Sequence, residues 1–145
     1  MRFLKFLPSQ ILSLLFVFTL LGCSDKKSDD LTVHWDRDMC SRCVMVISDR
    51  HNTVQVISAD KGKNVFDDIG CMVIWSQKNP LGDQDKIWVN DVITKEWINA
   101  KEAFYDAGNI TPMGYGFSAH KLKSDIKKGK EILDYNELVK RILEK

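Results

Sequence analysis

Four sulfur-bearing side chains fall within the eight residues Asp38-Met-Cys-Ser-Arg-Cys-Val-Met45. Sulfur this dense fits a disulfide clip, a redox pair, half of a zinc site or a seat for a softer metal. Each choice imposes a different local backbone, and the compartment decides which chemistry survives.

The N-terminus speaks to the compartment. An apolar run from Ile11 to Leu21, interrupted only by Ser13 and Thr19, follows the positive charges of Arg2 and Lys5 and ends in Leu20-Leu21-Gly22-Cys23. It has the length of a signal-peptide core and falls short of the roughly 20 apolar residues that span a bilayer. A small residue before a cysteine at the end of such a core reads as a lipoprotein signal over residues 1–22, with Cys23 the lipidated residue of the cleaved chain. The polar stretch Ser24 to Asp30 reads as part of a flexible tether over 23–32, leaving 33–145 as one domain. The expected location is the cell envelope, facing the periplasm, with the membrane reached through the lipid.

The whole sequence has 21 basic and 20 acidic residues. Arg2 and Lys5 leave with the signal, so the remaining charge is near −1 and no basic stripe points to nucleic acid. Cys40, Cys43 and Cys71 then remain, an odd number that no disulfide framework can exhaust.

The rest of the chain predicts an α+β fold of antiparallel strand pairs with helices on one face. Val44–Ile47 and Asn52–Ile57 read as two strands joined by the turn Ser48-Asp-Arg-His-Asn52. Asp67-Asp68 reads as a helix start for the apolar stretch Ile69–Trp75, although Gly70 weakens a helix. Lys86–Val92 and Glu96–Ile98 read as strands, Asn99–Asp106 as a helix, Gly108–Phe117 as a loop, Leu122–Lys128 as a short helix, and Asn136–Lys145 as a C-terminal helix with Leu138, Val139, Ile142 and Leu143 on one face.

If Val44 lies in a strand, Cys43 and Met45 point to one face, with Cα atoms roughly 6.6 Å apart. A thiolate with a thioether suits Cu(I) better than zinc, magnesium or calcium, and a flexible methionine can close the gap. A core role for Met45 stands as the alternative. Met113, framed by Pro112 and Gly114, lies on a loop from which it can reach a site. A structural zinc site would need two more ligands from Cys71, His34, His51 or His120, none of which shows a second half-site spacing. His120, downstream of Met113, is a candidate extra ligand.

"DMCSRCVM", "NVFDDIGCMVIW" and "WINAKEAFYDAGNITPMGYGFSAH" resemble, in this order, the NosL family of nitrous oxide reductase accessory lipoproteins. The resemblance spans about Asp38 to His120. Its most specific pieces are Cys43-Val44-Met45, where the family usually has glycine in the middle, and Thr111-Pro112-Met113-Gly114. It implies two small ββαβ-like units and a Cu(I)-binding chaperone rather than an enzyme. The partner would be a copper-enzyme apoprotein, nitrous oxide reductase being the type case, or its maturation machinery. Cys43 and Met45 match the family's metal motif, Met113 its loop motif, and Cys40 only some members. A different reading takes Cys40 and Cys43 as the CxxC of a lipid-anchored thioredoxin-like protein, with Thr111-Pro112 facing it. The apolar run after Cys43 and the lack of a preceding βαβ unit weigh against that reading.

Overall fold

Val54 and Val56 on one strand, Val89 on its neighbour and Phe66 at the end of another are all almost fully buried, and the architecture follows from covering them. The computed structural model describes residues 30–145. The signal, Cys23 and most of the tether lie outside the described residues. Strands β1 (Val54–Ser58), β2 (Gly62–Phe66), β3 (Lys86–Asn90) and β4 (Trp97–Asn99) form an antiparallel sheet in the order β2-β1-β3-β4. Strands β5 (Phe104–Asp106) and β6 (Ser118–His120) form a second, two-stranded antiparallel sheet. Helix α1 (Ile69–Ser76) lies between β2 and β3, a ββαβ order, and helix α2 (Tyr135–Leu143) closes the chain. The fold is thus α+β, as expected.

Local chemistry accounts for the elements. A three-residue loop joins β1 to β2, and Gly62 takes φ 66° at its exit, a conformation glycine adopts without steric cost. Asp68 caps α1 by accepting from the Gly70 N–H at 3.0 Å. The helix is buried from Ile69 through Val73, which is why its apolar residues show no solvent stripe. Asp134 and Glu137 make a reciprocal capping box for α2. On α2, Leu138 and Ile142 are buried, whereas Leu143 is 45% exposed. Leu31 O accepts from the buried Gln55 Nε2 at 2.9 Å, docking the start of the domain on β1. Residues Leu31–Lys145 make one compact unit.

Three expectations need correction. Residues 99–106 form no helix. Asn99 ends β4, a turn follows, and Phe104–Asp106 is β5. Ala100 and Ala103 are buried as the expected stripe requires, but Tyr105 is also fully buried and hydrogen-bonds Ala100 O at 2.7 Å, which suits a turn into a strand. Leu122–Lys128 yields only a 3-10 turn over Lys123–Asp125. The expected strand at Val44–Ile47 is a turn with one isolated bridge, described next.

Candidate metal centre

The sulfur-rich segment folds back on itself. Met39 and Val46 form an antiparallel bridge, and the Ile47 and Cys40 N–H groups donate to Asp38 O and Met45 O at 2.9 and 2.8 Å. Ser41 to Val44 make the loop between them, closed by the Val44 N–H on Cys40 O at 3.0 Å. Val44 closes it with φ 63°, a left-handed conformation that a β-branched residue rarely adopts. Propensity favoured a strand here. At 64% exposure Val44 finds no sheet neighbours to reward one, and the tight loop decides its backbone. The argument that Cys43 and Met45 share a strand face therefore fails. Met45 instead sits opposite Cys40 across the hairpin, half exposed.

This hairpin is pinned to the sheet. The Ser41 N–H donates to Val65 O at 2.8 Å, and Ser41 Oγ accepts from the Val65 N–H at 3.3 Å. Within the loop the backbone N–H groups of Cys43 and Arg42, joined by that of Asp67, address the Cys40 sulfur, and the Met45 N–H addresses that of Cys43. Such donors favour thiolate and fix its direction.

The other half of the centre comes from the corner between β2 and α1. Asp67 and Cys71, four positions apart, flank the helix start and face the hairpin. Cys43 Sγ donates to Asp67 Oδ2 at 3.3 Å. One donor atom each from Cys40, Cys43, Asp67 and Cys71 brings the four within 4.8 Å of one another. Cys40, Asp67 and Cys71 are buried and Cys43 is partly exposed; the three cysteines carry free thiols. Arg42 Nη1 approaches Cys71 Sγ at 3.7 Å.

The sulfurs divide their proton affinities. A hydrogen bond from the Cys71 thiol, aided by the backbone N–H groups, lowers Cys40 to about 6 in spite of its burial. Cys71 is pushed far up, because its proton serves that bond and because it is buried. Burial, together with the nearby Cys40 and Asp67 groups, raises Cys43 to about 11. The arrangement thus favours the thiolate at Cys40 and the thiol at Cys43 and Cys71.

The Thr111–Gly116 loop is clasped to the same corner. Asp68 Oδ2 accepts from Thr111 Oγ1 at 2.6 Å and from the Met113 N–H at 3.3 Å. Burial raises the Asp68 carboxyl, with these bonds opposing. Tyr115 packs on Gly70, where an added Cβ would fall 2.0 Å from its ring. Met113 is partly buried against the core. Its loop is therefore held against Asp68 and the first turn of α1.

Among the histidines, His120 is buried and paired with Asp106 Oδ1 at 2.9 Å, and Lys130 holds the other Asp106 oxygen. His34 and His51 are exposed beside Asp38 and Asp49. None belongs to the four-donor cluster. By sequence, Asp67 was only a helix start, and Cys71 only one of four candidates to complete a zinc site. No helical spacing signals the pair, because Asp67 precedes the extended cap residue Asp68 and only Cys71 lies on the helix.

The NosL family profile matches residues 32–118. Among solved structures, the copper chaperone NosL from Shewanella denitrificans aligns with a TM-score of 0.64 at 15% identity, over 76% of this chain and 96% of that one. At that identity the likeness speaks for the fold. Curated protein sequences give no match. The profile covers more than half of the sequence, from the strand of chain before the CxxC hairpin through the Met113 loop, and the chain belongs to the NosL family.

Proposed function

We propose that the protein is a lipid-anchored carrier of Cu(I) in the cell envelope, which hands copper to the apoprotein of a copper enzyme, such as nitrous oxide reductase, or to its maturation machinery. It acts as a carrier rather than a catalyst. The observation that carries this reading is the placement of Cys43, a partly exposed thiol with Cys40 and Cys71 buried behind it. A carrier must bind a soft ion tightly and still offer it to an incoming ligand, which an accessible sulfur at the mouth of a sulfur cluster allows. Met45, half exposed on the same hairpin, and Met113, whose loop is held by Asp68, are the thioethers this reading assigns to the copper ion. The name of the Shewanella denitrificans relative, a copper chaperone, supports the same cargo.

A redox role fits less well. Thiol exchange needs one sulfur that is both ionised and reachable. Here Cys40 is the acidic thiol but is buried, and Cys43 is the reachable thiol but holds its proton.

Anaerobic titration of the reduced protein with Cu(I) against a competing chelator tests the proposal. Wild type should take up Cu(I) and Cys43→Ser should lose most of that affinity; Met45→Leu and Met113→Leu should each weaken Cu(I) and leave Zn(II) unchanged. Wild type that fails to compete for Cu(I) would end the carrier reading. Anchoring is tested separately: Cys23→Ala should remain unprocessed or leave the membrane fraction, and normal processing with membrane retention would exclude lipidation there.

A further inference from the structure

We infer that the sheet face carrying Trp88 and Trp97, with the lysine run that starts beside it at Lys121, is the surface on which the domain lies against an anionic phospholipid bilayer. The inference rests on the lipid anchor of the proposed function and not on its copper.

The strand register fixes the face. Residues directly opposite on paired strands point to the same side of a sheet, as do residues two apart on one strand. Gln55 stands opposite Trp88, and Asn90, two residues on, stands opposite Trp97, so the two tryptophans share a side with Gln55. Phe66 is on the other side, next in its strand to Val65, which stands opposite Gln55. There the Phe66 ring meets Trp75 of α1, with centroids 5.2 Å apart. The tryptophan side is thus turned away from α1 and from the Cys71 it carries. Leu31 docks on part of it at Gln55. Over β3 and β4 it opens into a groove of about 480 Å³ lined by Trp88, Trp97, Asn99, Glu102 and Lys121.

Reach, side-chain chemistry and charge favour a bilayer as the occupant. Leu31 docks on this face eight positions after Cys23, and an extended chain spans at most about 3.6 Å per residue, so a lipid on Cys23 lies within roughly 29 Å of it. Tryptophan concentrates at headgroup level, where its ring rests on apolar chains and its N–H finds an acceptor. Trp88 and Trp97 are both partly exposed, and Trp88 Nε1 has no hydrogen-bond partner among the described residues. The stretch Lys121 to Lys130 holds five lysines and one acid, Asp125. Lys121 meets Glu96 at 3.1 Å and Lys130 holds Asp106, which leaves Lys127 and Lys128, both exposed, for headgroup phosphates. Leu122, between two of the lysines, is 55% exposed and enters the apolar edge of the headgroup layer. This pose turns α1, and the hairpin that meets it, away from the lipid and toward soluble partners.

The test reconstitutes the full-length chain into vesicles of phosphatidylcholine brominated in its acyl chains, with or without phosphatidylglycerol brominated in the same way. Bromine quenches indoles that settle at the headgroup boundary, whereas attachment through the N-terminus alone leaves them in water. No tryptophan precedes Trp35, so the anchor itself gives no signal. Phosphatidylglycerol should bring quenching and a blue shift of the emission, and high salt should reverse both. Trp97→Phe should lose most of the quenched emission. Lys127→Glu with Lys128→Glu, at exposed positions that leave the core intact, should abolish the quenching, while Lys78→Glu, just beyond α1, should not. Quenching that is equal without phosphatidylglycerol, that survives the double charge reversal or Trp97→Phe, or that never appears in vesicles holding the protein would overturn the inference. So would a concentration-dependent dimer in detergent that shields Trp97, which would give the groove to a second copy. Should Cys23 prove unlipidated while the tryptophans are still quenched on anionic vesicles, the anchor falls and this surface stands.

Discussion

Tyr115 lies across the face of Gly70, and a Cβ at position 70 would come within 2.0 Å of the Tyr115 ring. The glycine that weakens α1 by propensity is the one that lets the Met113 loop settle on the first turn of the helix. Gly70→Ala tests this against propensity. Alanine should gain about 1 kcal/mol as a helix former. Displacing the ring should cost more, so the net effect is a destabilisation of about 1–3 kcal/mol, read by chemical denaturation of the reduced protein.

Val44 offers the opposite sign. A left-handed backbone costs a non-glycine residue about 1–2 kcal/mol, and glycine gives back about 0.5–1 kcal/mol in chain entropy. Val44 is 64% exposed, so little burial is lost. Val44→Gly should stabilise the protein by roughly 0.5–1 kcal/mol, visible as a higher denaturation midpoint. An unchanged or lower midpoint would mean that the loop holds no such strain.

Asp68 ties the cap of α1 to Thr111 and Met113. Asp68→Ala removes a cap, at about 1 kcal/mol, and leaves buried donors unpaired, at about 1–3 kcal/mol more. It should also loosen the loop, so that Cu(I) affinity falls in the same direction as in Met113→Leu. Full Cu(I) affinity in a destabilised Asp68→Ala protein would remove Met113 from the copper set.

Cys40, lowered to about 6 from an ordinary 9.0, makes stability depend on pH. Between these values the folded chain binds fewer protons than the unfolded one, so the stabilisation is full above about 9 and disappears as pH falls through about 6. Cys43, raised to about 11, acts the other way and erodes stability from about 9 upward. Denaturation of the reduced, metal-free protein should therefore show stability rising from pH 6 to 9, and Cys40→Ser should flatten that rise. Thiolate absorption in the ultraviolet should show one group titrating near 6 in wild type and none there in the variant.

Oxidation supplies a further check. The three sulfurs lie close enough for a pair to be joined after small movements, which would remove two ligands at once. The oxidised protein should bind Cu(I) much more weakly, with affinity restored by a reductant. Equal affinity in both states would exclude the joined cysteines as ligands.

The α+β class, the Asp68 helix start and the loop around Met113 were legible in the sequence because local chemistry fixes them. Asp next to an apolar run caps a helix wherever the run lands. The hairpin at Cys40–Cys43 was misread because β-branched residues mark strands only when neighbours cover them, and nothing local reveals that Val44 is exposed. Residues 99–106 were misread because buried alanines at a helical spacing also suit a turn entering a strand. Cys40 and Cys43 were found by spacing. Asp67 as their partner was not, because the separation of 24 positions from Cys43 is bridged only by the tertiary fold.

The hairpin has one more consequence. Met39, Val44, Met45 and Val46 are each at least half exposed, and all lie on the hairpin that carries Cys43, the one cysteine among the described residues that solvent reaches. On the proposed carrier function, a protein that brings its own sulfur to Cys43 would approach over this apolar hairpin. Covering it would shed water from the gap before the two sulfurs meet. On the proposed carrier function, the ion would then pass between ligands through a dry seam, without exposure as a hydrated cation, where a small chelator, unable to seal the rim, would gain no such help. In that exchange the greasy hairpin would act as a gasket.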